Sequence, residues 1–177
     1  MKRFLINKVA IIGCGGSGKT TLANKLGPIL NLPVYHLDKL YWKSNWQEPI
    51  YEEYKPLHDA LCLKDRWIID GTQTRFMQTR LESADIIIFL DFPRWLCLWR
   101  VTLRWLKHRN QSRNDLHPEC KDRLTWGFLR YIWLFKNIYR PKILSAINVL
   151  KKTKPIYVLK TKNTINDFVI QLIKTSI

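Results

Sequence analysis

Acidic residues are scarce in this chain: 14 Asp and Glu stand against 30 Lys and Arg in 177 residues, a formal net charge of +16 at pH 7. Such a surface does not neutralise itself, so it asks for an anionic partner: a nucleotide polyphosphate, a phosphorylated small molecule or a nucleic-acid backbone. Cysteine is scarce too. Cys14, Cys62, Cys97 and Cys120 include no C-x-x-C pair, which argues against a zinc site and a disulfide framework and makes a reducing cytoplasm the expected location. Long apolar runs are missing. The most apolar stretch, residues 86–106, contains Asp91, Pro93, Arg94, Arg100 and Arg104, charges too costly for a lipid-facing span, so no transmembrane segment and no membrane partner are expected. The basic start is broken by Asn7 and Lys8 and runs into glycines, and is expected not to act as a signal peptide. Internal repeats, low-complexity tracts and helix-turn-helix, zinc-finger or ribonucleoprotein motifs are not visible either.

What remains is the composition of an ordinary globular protein, 46% hydrophobic and 25% charged, which fits neither a disordered nor a fibrous chain. At this length a single domain over residues 1–177 is expected. Residues 8–12 (Lys8, Val9, Ala10, Ile11, Ile12) form a short apolar run closed by glycines, the pattern of a buried parallel strand. The spacing then predicts a helix over Lys19–Leu30, a strand over 33–37 ending at Asp38, a helix over 52–63, and a strand at 67–69 ending at Asp70-Gly71. A short helix over 76–82 and a strand over 85–90, ending at Asp91, come next, followed by a helix over 94–108. Residues 109–122 are polar and basic and contain Pro118, the signature of a loop, and the basic region 107–123 is expected to act as a lid. A helix over 123–139 stopped by Pro141, a strand at 156–159 and a helix over 165–174 complete the reading. Strands alternating with helices imply an α/β fold, a three-layer arrangement with a five-stranded parallel sheet. Ligands in such folds gather at the carboxyl ends of the strands, where Gly13, Asp38, Asp70 and Asp91 fall.

Gly13-Cys14-Gly15-Gly16-Ser17-Gly18-Lys19-Thr20 fits G-x-x-x-x-G-K-[ST] in full, between an expected strand and an expected helix. Glycines let successive backbone N–H groups turn inward around phosphate oxygens, and the helix N-terminus adds partial positive charge. The pattern therefore points to ATP or a close relative with Mg²⁺. Gly13, Gly15, Gly16, Ser17, Gly18, Lys19, Thr20 and Thr21 are the expected nucleotide contacts, with Lys19 on the β- and γ-phosphates and the Thr20 hydroxyl on the metal. Cys14 reads as a small filler of the loop.

Such a site also needs carboxylates. Asp70 is the expected member of the metal shell, although Asp-Gly is equally a turn former. Asp38 is the expected acceptor-side acid or general base, against the alternative of capping the turn that follows. Asp91, before Phe92-Pro93, reads as a turn or helix-start residue. His36 reads as a core histidine, and His58, His108 and His117 have no metal-ligand spacing.

The positive charge is uneven: residues 94–142 hold 12 Lys and Arg against 3 Asp and Glu. Arg100, Arg104 and Lys107 share one helix face, while Trp95, Trp99, Thr102 and Leu106 share another that is expected to face the core. Arg100, Arg104, Arg109, Arg113 and Arg123 flank or occupy the expected lid. Guanidinium groups there suit the charge that spreads over a transferred phosphoryl group, and Arg100 and Arg104 are the candidates taken for that role. Tyr41, Trp42 and Trp46 would stack on an acceptor or simply pack.

Four segments carry a resemblance: Gly16-Ser17-Gly18-Lys19-Thr20-Thr21-Leu22-Ala23; the residues 32–42, Leu-Pro-Val-Tyr-His-Leu-Asp-Lys-Leu-Tyr-Trp; the residues 66–71, Arg-Trp-Ile-Ile-Asp-Gly; and the residues 88–100, Ile-Phe-Leu-Asp-Phe-Pro-Arg-Trp-Leu-Cys-Leu-Trp-Arg. In these the chain resembles the adenylate-kinase-related P-loop proteins known as bacterial DNA topology modulation proteins. The resemblance implies a nucleoside-monophosphate-kinase-like fold, ATP bound at Gly15, Gly16, Gly18, Lys19 and Thr20, and a mobile lid. Adenylate kinases carry Asp-Gly-Phe-Pro-Arg where this chain has Asp70-Gly71-Thr72-Gln73-Thr74-Arg75, so AMP is not the expected acceptor. The expected activity is transfer of the γ-phosphoryl group of ATP to a small-molecule or nucleotide acceptor. The alternatives are a nucleic-acid-associated ATP-binding protein affecting DNA topology, which the family label suggests, and an ATP-binding module without turnover.

Overall fold

The computed structural model describes residues 6–107, 119–120 and 123–176. Five parallel strands form one sheet in the order β2-β3-β1-β4-β5: β1 Lys8–Gly13, β2 Val34–His36, β3 Trp67–Asp70, β4 Ile86–Leu90 and β5 Ile156–Leu159. The central strands are continuous runs of buried apolar side chains. Val9, Ala10, Ile11 and Ile12 of β1, Ile68 and Ile69 of β3, and Ile87 to Leu90 of β4 are all at most 1% exposed, as expected for parallel strands covered by helices on both faces. Their covering helices are α1 Lys19–Leu30, α3 Tyr51–Leu63, α4 Met77–Ser83, α5 Arg94–Lys107, α6 Trp126–Leu150 and α7 Lys162–Ser176, with a five-residue α2, Leu37–Tyr41, after β2.

Register places Ile11 beside Asp70 and Gly13 beside Leu90, so β1, β3 and β4 end together. From this line of ends the chain leaves β1 toward β2 on one side and β4 toward β5 on the other, which opens a crevice where connections diverge.

Three expectations change. First, α6 does not stop before Pro141 but runs through it for 25 residues. Proline removes one N–H from the ladder; Ile143 and Ile147 beyond it are buried, and Arg140 just before it makes a two-pronged ion pair with Asp91, Nε and Nη2 each 2.8 Å from a carboxylate oxygen. Asp91 is thus a brace between β4 and α6. Second, Asp38 lies inside α2 rather than just past a strand.

Third, the Trp face of α5 is turned to solvent. Trp95, Trp99 and Leu106 are 62%, 60% and 60% exposed, whereas Cys97 and Val101 are buried. The reason is the partner surface. A Cβ at Gly16 would lie 2.5 Å from the Cys97 carbonyl oxygen and 2.7 Å from Val101 Cγ2. Only the small face of α5 fits so close to a bare backbone, so the bulky face must point away. The expected lid over residues 107–123, with Arg109, Arg113, His108 and His117, lies largely outside the described residues. Within it, Cys120 is buried and its thiol donates to the Lys43 carbonyl.

Candidate active site

Residues 13–18 make the tight turn from β1 to α1. Gly16 (φ +78°) and Gly18 (φ +98°) sit in the left-handed region, which side chains disfavour. The Gly18 end of α1 has no side-chain cap and no acidic residue in its first turn. Its free N–H groups and partial positive charge are therefore left for an anion. Lys19 turns its ammonium back onto the loop, donating to the Cys14 carbonyl at 2.9 Å.

The loop is held from three sides. Below it, Thr72 Oγ1 accepts from the Gly13 N–H at 3.0 Å and donates to the Gly13 carbonyl. On one flank α5 presses Cys97 and Val101 against Gly16, and Arg100 Nη1 donates to the Ser17 carbonyl at 3.3 Å. On the other, Phe128 of α6 lies so near Gly15 that a Cβ there would sit 2.8 Å from the ring. Beneath the loop, the Cys14 thiol is hydrogen-bonded to Cys97, which with burial pushes it above the ordinary thiol range while Cys97 is lowered. Cys14 is accordingly an inert filler; all four cysteines are free thiols and buried.

The loop helps line a cleft of about 940 Å³ through Gly15, Gly16, Gly18, Lys19, Thr20 and Thr21. Asp38, Tyr41, Trp42, Trp46 and Glu48, Thr72 to Phe76 of the turn after β3, and the start of α6 line the same cleft. Arg75, Arg100, Arg104 and Arg123 also line it. The Arg75 guanidinium lies over the Tyr51 ring at 4.3 Å and that of Arg123 over Trp46 at 4.9 Å, stacking that leaves the N–H edges to bind planar anions. Tyr41, Trp42 and Trp46 meet edge to face, with centroids 5.1 and 5.4 Å apart. Burial, then Glu48, raises the Tyr41 hydroxyl above its usual pKa, so it stays a donor.

Of the acids read from the sequence, Asp38 is exposed and lines the cleft. Asp70 is not among the lining residues. It is 3% exposed and its Oδ2 lies 2.8 Å from His36 Nδ1, tying the end of β3 to the end of β2. His36 is thus neither a simple core residue nor a ligand in the cleft. Among the described residues no cluster of three or more His, Cys, Asp or Glu could hold a metal, so a metal here would rely on hydroxyl, phosphate and water oxygens beside a carboxylate. Thr20, at the uncapped end of α1 and on the cleft wall, offers the hydroxyl that such a magnesium site takes.

Arg80 escaped the sequence reading. Fully buried, it donates through Nη2 to the Gly71 and Thr72 carbonyls at 2.9 and 2.8 Å and through Nη1 to His58 Nε2 at 3.0 Å. It fixes the turn that carries Thr72, Gln73 and Arg75 into the cleft. Burial lowers its pKa to about 10, which leaves it charged at neutral pH. Tyr54 adds a second tie, donating to Gln73 Oε1 at 2.7 Å. An arginine in a short helix carries no sequence signal that separates this role from a solvated one.

No protein-family model and no curated protein sequence matches the chain. Solved structures do. Shikimate kinase from Acinetobacter baumannii, in complex with shikimate, aligns at a TM-score of 0.56 and 17% identity over 97% of this chain and 94% of that one. A sugar kinase from a Janibacter species, unliganded, aligns at 0.51 and 15% identity over 94% of each chain. Deoxyadenosine kinase from M. mycoides with bound dCTP aligns at 0.48 and 14% identity, over 93% of this chain and 98% of that one. The fold is that of the P-loop kinases.

Proposed function

We propose that this protein transfers the terminal phosphoryl group of ATP to a hydroxyl of a small acceptor, with magnesium as the metal. One observation carries the reading: the glycine loop with Lys19 and Thr20, the Asp38 carboxylate, and Arg100 and Arg104 all line a single cleft. The assignment rests on that site; the likeness to shikimate and sugar kinases supports the scaffold, which by itself hosts many functions.

In this reading the amides of Gly15, Gly16, Ser17 and Gly18, with Gly13 setting the turn, cradle the β- and γ-phosphates, and Lys19 leaves the Cys14 carbonyl to join them. Thr20 holds the metal, with Thr21 beside it at the same helix end. Magnesium, when bound there, would offset the negative charge of the phosphates. Asp70, buried, not on the cleft wall and bonded to His36, would reach the metal only through its water shell, while it braces β2 against β3. Asp38 takes the proton of the acceptor hydroxyl as its oxygen bonds the γ-phosphorus and the bond from that phosphorus to the β,γ-bridging oxygen breaks. Arg100 and Arg104 neutralise charge on the transferred group. A cleft this size sits near the upper end of the range for small-molecule sites, about 300–1,000 Å³, and accommodates an acceptor beside the triphosphate. Arg75, Arg123 and the Tyr41, Trp42 and Trp46 rings favour an acceptor that carries an acidic group or a planar face.

The test is a panel of hydroxyl acceptors with γ-labelled ATP. Label appearing in one acceptor, with ADP formed in step, is the expected result. Label released only as inorganic phosphate across a broad panel would overturn it, and ADP release driven by DNA alone would put the nucleic-acid reading in its place.

A further inference from the structure

The outward face of α5 is the least explained surface of the molecule. Trp95, Trp99, Leu103 and Leu106 follow one another at intervals of four, four and three and are 62%, 60%, 44% and 60% exposed, which makes one apolar stripe of about 17 Å at 1.5 Å per residue. Trp133 of α6 widens it, its ring edge-on to Trp95 with centroids 4.6 Å apart. None of these side chains lines the cleft. A continuous exposed band of this kind on a charged protein marks a contact surface.

We propose that α5 and the adjoining face of α6 dock on an anionic phospholipid bilayer, lying in its surface rather than spanning it. No helix among the described residues is long and apolar enough to cross a membrane. Two observations choose the partner. The first is charge: α5 and α6 together carry eight Lys and Arg and no Asp or Glu, and with Arg100 and Arg104 turned to the cleft and Arg140 paired with Asp91, five of these cations (Arg94, Lys107, Arg130, Lys136 and Lys142) remain for a partner. Facing a second copy, these helices would bring like charges together, whereas an anionic headgroup layer complements them. The second is the make-up of the stripe, two tryptophans and two leucines on one helix face, the apolar side chains that seat an in-plane helix at the boundary between headgroups and acyl chains. Nucleic acid would use the rings, but Leu103 and Leu106 offer nothing to a base or a phosphate. The cations flank the stripe instead of interrupting it. The Arg94 guanidinium lies 4.1 Å over the Trp133 ring and 5.5 Å from that of Trp95, stacking that leaves its N–H edges for lipid phosphate. Docking this way leaves the cleft, on the opposite side of α5, open.

The experiment is vesicle flotation with the full chain, comparing phosphatidylcholine vesicles with vesicles that also contain phosphatidylglycerol. With three or four cations at the surface, anionic vesicles should bind on the order of 100-fold more tightly than neutral ones, and the Trp99→Glu, Leu103→Glu double variant should lose at least about tenfold of that affinity. Triphosphate binding by the double variant serves as the check that it folds. A second measurement needs no variant: brominated acyl chains should quench the tryptophan emission of the unaltered protein. Absence of anionic-vesicle binding, absence of quenching, or equal binding by a folded double variant would each overturn the proposal. So would a dimer that the double variant abolishes, or a loss of oligonucleotide binding in that variant with vesicle binding intact.

Discussion

Thr72 holds Gly13 by both of its backbone groups, accepting from the N–H and donating to the carbonyl through one hydroxyl. The turn after β3 and the turn after β1 are thereby joined beside the cleft, and Thr72 and Gly13 are both buried. Thr72→Val keeps the shape and removes the hydroxyl. It should lower stability by about 1–3 kcal/mol, the penalty for leaving buried backbone groups unsatisfied, and Thr72→Ser should restore most of it. Urea denaturation of the three proteins measures this; a valine variant as stable as the parent would show that the clasp contributes nothing.

Gly16 makes a sharper demand. Its φ of +78° disfavours any side chain, and the nearest neighbour of an added Cβ is a backbone oxygen, that of Cys97, which cannot rotate away. Gly16→Ala should therefore destabilise by about 2–5 kcal/mol from backbone strain and overpacking together, or else push α5 off the loop and abolish triphosphate binding. Gly127→Ala is the control. In the first turn of α6, a Cβ there would meet only Thr125 Oγ1 at 4.0 Å, so the change should be neutral or stabilising by up to about 1 kcal/mol. Thermal or urea unfolding of both variants decides between the two expectations.

Much of this architecture was legible. The apolar runs of β1, β3 and β4 are buried on both sheet faces, so pattern and burial coincide, and the glycine-lysine-threonine segment makes the expected turn from a strand into a helix. The misreadings share one cause: they depend on what an element packs against. Hydrophobicity alone turns the tryptophan face of α5 to the core, but Gly16 admits only Cys97 and Val101 and sends the tryptophans outward. Pro141 reads as a stop, yet the Arg140 to Asp91 pair and buried Ile143 carry α6 past it. Five residues of α2 are too few to show a period. Asp38 and Asp70 look alike in sequence at strand ends; only the fold opens one to the cleft and buries the other against His36.

Acid sensitivity should trace to the Arg80 and His58 contact. Burial, with the Arg80 charge next to it, lowers the His58 pKa below the ordinary imidazole value, while Asp59 pulls the other way. A histidine whose folded pKa is depressed favours the folded state in its neutral form. That stability is fully present above the ordinary imidazole pKa of about 6.5 and is lost as pH falls toward the lower folded value, because the unfolded chain binds the extra proton first. The slope for one group is at most about 1.4 kcal/mol per pH unit. His58→Gln keeps an acceptor for Arg80 and cannot titrate, so its stability should be flatter between pH 7 and 5 (roughly the imidazole window). Unfolding free energies across that interval, parent against variant, provide the check; parallel curves would assign the acid sensitivity to other groups.

Asp38→Asn separates the chemistry from the binding. The amide is the same size as the carboxylate and remains on the cleft wall, but it cannot accept the hydroxyl proton. If Asp38 is the general base, kcat should fall about 10²- to 10⁴-fold with the triphosphate affinity unchanged, since in the proposed reading the loop and Lys19, not Asp38, meet the nucleotide. Lys19→Ala should do the reverse, removing the ammonium that meets the phosphates and weakening triphosphate binding before any acceptor is present. Calorimetric titration with the triphosphate and steady-state rates with the labelled acceptor, run on both variants, test the division. An Asp38→Asn protein that loses triphosphate affinity as severely as Lys19→Ala would mean that the carboxylate serves the nucleotide and its metal, and that the acceptor's proton leaves by another route.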